Sequence, residues 1–95
     1  MATTMFAKHK VNDYKSWKRA YDEFASMRKE KGVVGASVHR ITDDMDTVII
    51  THQFRDTGSA MAFAGSEELK SAMMEAGVVG PPEISFLNDG FKYEH

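Results

Sequence analysis

Tyr14, Trp17, Tyr21, Phe24 and Arg28 recur at three- and four-residue steps, and no other feature constrains this chain as much. The spacing lays four aromatic rings on one helical stripe, with Lys15, Lys18, Arg19, Asp22 and Glu23 largely off it. The segment before it obeys a different period. In residues 4–11, Phe6, Lys8 and Lys10 alternate with Met5, Ala7, His9 and Val11, as the side chains of a strand do. Asn12-Asp13 supplies an N-cap where the period changes, and Gly32 after Lys31 is a good terminator. The spacing therefore predicts a helix over about residues 13–31.

Two β-rich runs follow, Val33–Thr42 and Thr47–Phe54, joined as a hairpin through Asp43-Asp44-Met45-Asp46. Asp56-Thr57 caps a second helix, which Gly65-Ser66 interrupts. Ser66 then restarts it with Glu67 and Glu68 in the first turn, where carboxylates meet the positive end of the dipole. Leu69, Ala72, Met73 and Ala76 form its apolar side, and Gly77, Gly80, Pro81 and Pro82 forbid continuation. A closing strand is expected at Glu83–Leu87, with Ile84 and Phe86 on one face. Asn88-Asp89-Gly90 is a turn signal opening the tail 88–95, whose Phe91 and Tyr93 add a short strand or lie on a neighbour.

The order is β-α-β-β-α-β in a single domain, residues 1–95. Right-handed crossovers put the strands in spatial order 4-1-3-2, a four-stranded antiparallel sheet with the helices on one face. This is an α+β, ferredoxin-like fold. Val, Ile and Phe fall on both strand faces, so the uncovered side wants a partner, and a homodimer packed sheet to sheet supplies it. If Thr42 pairs with Thr47, then Ser37 pairs with His52 and His39 with Ile50, which gathers His39, His52 and Ser37 on one face.

Composition removes several classes. No cysteine is present, so disulfides, thiol nucleophiles and paired-cysteine metal sites are excluded. The net charge of −2 exerts no overall pull toward nucleic acid or anionic lipid. Lys15, Lys18, Arg19, Arg28, Lys29 and Lys31 are interleaved with acids and read as a solvated helix face. The third strand, Thr47-Val48-Ile49-Ile50-Thr51-His52-Gln53-Phe54, lacks the glycine- and aromatic-rich signature of RNA-recognition domains. No apolar run is long enough to span a membrane, and Met1-Ala2-Thr3-Thr4 carries no signal-peptide core, so a cytoplasmic location is expected.

Several stretches resemble a known family as a set. His9-Lys10-Val11-Asn12-Asp13-Tyr14 with Trp17 is similar to the opening of small dimeric α+β barrel proteins, the antibiotic-biosynthesis monooxygenases and polyketide cyclases. Gly35-Ala36-Ser37-Val38-His39-Arg40 with Asp43-Asp44 resembles their second strand and hairpin. Glu68-Leu69-Lys70, Ala72-Met73 and Ala76-Gly77-Val78 resemble the end of their second helix, and Pro82-Glu83-Ile84-Ser85-Phe86-Leu87 their closing strand. The resemblance covers most of residues 5–87. It departs at the end of the third strand, where His52-Gln53-Phe54 stands in place of an acid followed by tryptophan.

The resemblance implies two subunits forming one barrel, with a ligand cavity between helices and sheet in each. Trp17, Tyr21, Phe24, Phe54 and Phe63 are the candidate substrate-binding residues, suited to a small apolar or aromatic molecule. They are equally consistent with plain core. His9 and His52 are the candidate proton-transfer groups, with buried structural histidines as the alternative. Tyr14 and Tyr21 are placed to hold an enolate or carbonyl oxygen. The implied function is a cofactor-independent enzyme on an aromatic or polyketide-like substrate, by oxygenation or cyclisation. A non-catalytic ligand-binding or structural dimer is the alternative, and haem binding through His9 or His52 a minor third. No cofactor, metal or nucleic acid is expected.

Overall fold

The structure, a computed structural model, describes residues 2–95, so Met1, the first residue of the segment read for a leader, lies outside it. Its elements are β1 (Thr3–Val11), α1 (Tyr14–Glu23), α2 (Ala25–Glu30), β2 (Val33–Ile41), β3 (Asp44–Phe54), α3 (Thr57–Ala64), α4 (Glu67–Glu75) and β4 (Val78–Asn88). The four strands form one antiparallel sheet in the order β2-β3-β1-β4, as the crossover argument requires. The helices lie on one side of it. Among the described residues, no helix is long and apolar enough to cross a membrane.

The strand period decides which side chains the helices cover. Met5, Ala7, His9 and Val11 of β1 are buried, and Val48, Ile50, His52 and Phe54 of β3, paired with them or one rung away, are buried too. Phe6, Lys8, Ile49, Thr51 and Leu87 point to the opposite, open face. Two core clusters result. One joins Met5, Ala7, Phe54, Ala60 and Phe63; the other joins Val11, Trp17, Val48 and Ile50.

Three expectations need correction. The first helix breaks at Phe24 (φ −90°, ψ 12°), where the backbone N–H is shared between the carbonyls of Ala20 and Tyr21, a tightened last turn. The hairpin turns through Thr42-Asp43 alone. Ile41 pairs with Asp44 and Arg40 with Val48, so Met45, Asp46 and Thr47 have no partner on β2 and form a bulge, held by Arg40 Nε on the Met45 carbonyl, while Thr47 keeps its pairing with Lys10 of β1. That slips the ladder by one residue, and in a strand one residue reverses the face. Ser37 therefore pairs with Thr51 and His39 with Ile49, on the open face and away from His52.

The third correction concerns the closing strand, which begins at Val78 rather than Glu83. Lys10 pairs with Val79 and Lys8 with Glu83, so Gly80, Pro81 and Pro82 arch opposite His9. Proline lacks an N–H, and an edge-strand bulge is where a sheet tolerates it. Of the two alternatives for the tail, the added strand is absent; Phe91 and Tyr93 are exposed and face each other at 6.5 Å.

The remaining boundaries follow from capping. Asp13 Oδ2 accepts from the Ser16 N–H, Asp56 Oδ1 from Ser59, and Ser66 Oγ from Leu69, each closing the first turn of a helix. Asn12 is not the cap; its N–H bonds the Gly77 carbonyl and ties α4 to the start of α1. Gly32 (φ 99°) and Gly77 (φ 81°) end their helices in the left-handed region that favours glycine.

Candidate functional site

The two core clusters do not merge. Between them, under α1, α2 and α4 and above β1 and β3, lies a cavity of about 60 Å³. Its floor is Met5, Ala7, His9, Ile50, His52 and Ile84; its roof is Trp17, Tyr21, Phe24, Met27 and Arg28; Phe63, Leu69, Ala72, Met73 and Ala76 close the side. The lining is apolar except at His9, His52, Tyr21 and Arg28.

The aromatic stripe positions the roof. Tyr14, Trp17 and Tyr21 stack in sequence, with ring centroids 5.9 and 5.0 Å apart, and Tyr21 stacks in turn over His52 at 5.9 Å. Phe63 meets His52 edge to face at 5.3 Å. Rigid rings spanning from helix to strand leave a gap that flexible aliphatics would fill.

His52 and Tyr21 form the polar centre. The Tyr21 hydroxyl lies 2.8 Å from His52 Nε2, while His52 Nδ1 is buried with no partner. A buried N–H left unpaired costs more than an unpaired lone pair, which assigns the proton to Nε2 and makes it the donor to Tyr21 Oη. The tyrosine's own O–H is then free to donate into the cavity. Burial, reinforced by the nearby Arg28 guanidinium, lowers the His52 pKa to about 4, so the ring is neutral at neutral pH. Burial also raises the Tyr21 pKa, with Arg28 opposing it.

His9 is the more exposed question chemically, although it is only 6% solvent-exposed. It packs against Trp17 at 5.8 Å, and neither ring nitrogen has a hydrogen-bond partner among the described residues. Desolvation lowers its pKa, which keeps it neutral. A buried imidazole with both nitrogens unmet is costly unless something else satisfies it. None of the described residues does.

His9 and His52 lie on the same sheet face, His9 opposite Val48 and His52 opposite Met5. Four residues of strand separate these rungs, about 13 Å at ~3.3 Å per residue. They act from the two ends of one cavity, not on one atom. Of the sequence candidates, His9, His52, Trp17, Tyr21, Phe24 and Phe63 are brought together there. Tyr14 and Phe54 are not among the lining residues. Tyr14 sits in the second core cluster under the Arg40 guanidinium, 3.9 Å from its ring, and Phe54 packs against Phe63 in the first.

Arg28 was read with the solvated cations and belongs instead to the cavity wall. Its guanidinium lies 3.7 Å from the centre of the Tyr21 ring and donates to the Tyr21 carbonyl, which at the break of α1 also accepts from the Phe24 N–H. The signal was present in the sequence, since Arg28 continues the Trp17–Tyr21–Phe24 stripe.

A family model described as antibiotic biosynthesis monooxygenase matches residues 13–75. No curated protein matches the sequence significantly. Among solved structures, a candidate antibiotic biosynthesis monooxygenase from Bordetella bronchiseptica is similar at TM-score 0.79 and 11% identity, over 95% of this chain and 98% of that one. SnoaB, a cofactor-independent oxygenase from Streptomyces nogalater, is similar at TM-score 0.79 and 10% identity, over 99% and 98%. A further candidate monooxygenase, from Caulobacter crescentus, is similar at 0.75 and 14%, over 95% and 91%. At these identities the structural likeness establishes the shared fold.

Proposed function

The chain belongs to the antibiotic biosynthesis monooxygenase family, and on that premise we propose that it is a cofactor-independent enzyme oxygenating a small aromatic or polyketide-like molecule. The observation that carries this reading is His9: a neutral imidazole, almost wholly buried, facing a cavity with both nitrogens unpartnered. SnoaB, which shares the fold, is described as a cofactor-independent oxygenase.

Oxygenation without a cofactor needs a substrate that supplies its own electrons. A methylene between a conjugated ketone and an aromatic ring suits this. His9 accepts the C–H proton, and the Tyr21 hydroxyl, backed by His52, donates to the ketone oxygen where negative charge gathers. The carbanion gives its electrons to dioxygen and a C–O bond forms. The O–O bond of the resulting hydroperoxide then breaks with loss of water, leaving a carbonyl. One oxygen atom enters the product and the other leaves as water, with no external reductant. The same proton removal also begins a ring closure, so dioxygen consumption separates oxygenase from cyclase.

In this reading the enzyme works in the cytoplasm as a homodimer. The open sheet face, where Phe6 and Ile49 are only partly covered and Leu87 is 47% exposed, supports sheet-to-sheet pairing. The test is incubation of the purified protein with tricyclic aromatic ketones bearing such a methylene, under ¹⁸O₂. One ¹⁸O per product with stoichiometric dioxygen uptake is expected. Turnover without dioxygen would convert the assignment to cyclase, and no turnover across the panel would leave a binding protein.

A further inference from the structure

Among the described residues, Arg28 is the one formally charged side chain lining the cavity, and no carboxylate lines it. Among the described residues, the ion pairs are Lys10–Asp44, Lys18–Asp22 and Lys31–Glu68, so Arg28 has no carboxylate within ion-pair distance. A partly buried cation without a counter-charge is costly. Here it is held in place by stacking on Tyr21 and by its bond to the Tyr21 carbonyl. A guanidinium offers five N–H donors in a planar fork, and that bond uses one.

We propose that Arg28 is an anion-recognition residue, and that the ligand is a planar aromatic carrying a group ionised at neutral pH, such as a carboxylate. The inference rests on the cavity being the ligand site. The anion takes the free edge of the guanidinium, while the ring system extends past Tyr21 beneath Trp17 toward His9, a path wider than the resting cavity that the flexible Met27 and Met73 side chains open by moving aside. Glu67, Glu68 and Glu75 line the adjoining surface groove, which shares Phe24, Met27 and Ala72 with the cavity. Their charge disfavours an anion left at that groove and favours the orientation with the charge at Arg28.

Trp17 provides the readout, since it is the single tryptophan and its indole N–H gives one isolated NMR signal. The full chain is titrated with 2-naphthoate and with 2-naphthamide, its uncharged analogue. Naphthoate is expected to shift the Trp17 signal with a Kd at least tenfold below that of naphthamide. R28M should abolish the difference, R28K should keep part of it, and K31M, at a paired surface lysine, should leave it intact. Equal affinities for the two probes in the unaltered protein would overturn the proposal while keeping the cavity as a ligand site. If neither probe moves Trp17, the cavity reading falls and this proposal with it. The wild-type comparison needs no variant, so a misfolded R28M does not blunt it.

Discussion

The Tyr21 hydroxyl on α1 and Nε2 of His52 on β3 lie 2.8 Å apart, with their rings stacked at an interplanar angle of 12°. This contact locks the helix layer to the sheet at the end of the cavity opposite His9.

Tyr21→Phe should therefore cost on two counts. It keeps the stacked ring but leaves both nitrogens of His52 buried without a partner, a loss of about 1–3 kcal/mol. In the proposed mechanism it also removes the donor to the substrate oxygen, so kcat should fall about a hundredfold, in the range of a lost oxyanion donor. Urea unfolding and dioxygen uptake measure the two effects separately. An unchanged kcat would mean that Tyr21 is structural only.

The buried histidines set a pH dependence. His52 has a pKa near 4 folded against 6.5 in its ordinary state, so between these values the unfolded chain binds the extra proton. Its stabilising contribution is complete above pH 6.5 and is lost as pH falls toward 4. At ~1.4 kcal/mol per pH unit the loss is on the order of 3 kcal/mol, and His9, lowered by burial, adds in the same direction. Denaturant unfolding at pH 7, 6, 5 and 4 should show this slope, and His52→Gln should flatten it. A profile flat down to pH 4 would mean that neither ring is held neutral.

His9 separates function from structure more sharply. Both of its nitrogens are unmet, so His9→Leu removes a buried polar cost and should leave the melting temperature unchanged or raised. Turnover should be lost in the same variant. Clear destabilisation would show that His9 has an unrecognised structural partner.

The sequence carried the element order, strand order and strand faces, because period-two and period-3.6 patterns are local consequences of backbone geometry. It also placed His9, Trp17 and Tyr21 toward one space. What it missed was set by single-residue backbone events. The bulge at Met45–Thr47 moved His39 and Ser37 to the open face, and nothing local distinguishes Asp43–Asp46 as a four-residue turn from a two-residue turn plus bulge. The break at Phe24 involves neither glycine nor proline, and there the Tyr21 carbonyl accepts from Arg28 as well as from the Phe24 N–H. A cation at the edge of an aromatic stripe looks solvated until the helix bends.

The open sheet face makes a prediction about assembly. Ile49 lies at its centre, next to Lys8 and His39 across the ladder. In sedimentation at micromolar concentration the chain should run as a dimer, and Ile49→Lys should shift it to monomer with secondary structure intact. A monomeric unaltered chain would remove the barrel arrangement.

One small cavity is the proposed place where a ligand meets His9. The most direct test is a crystal structure of the protein soaked or grown with 2-naphthoate. It should show the ring system between Trp17, Tyr21 and the sheet, with a ligand or water atom within about 3.2 Å of a His9 nitrogen. A cavity closed by collapsed side chains, with the aromatic bound elsewhere or absent, would contradict it.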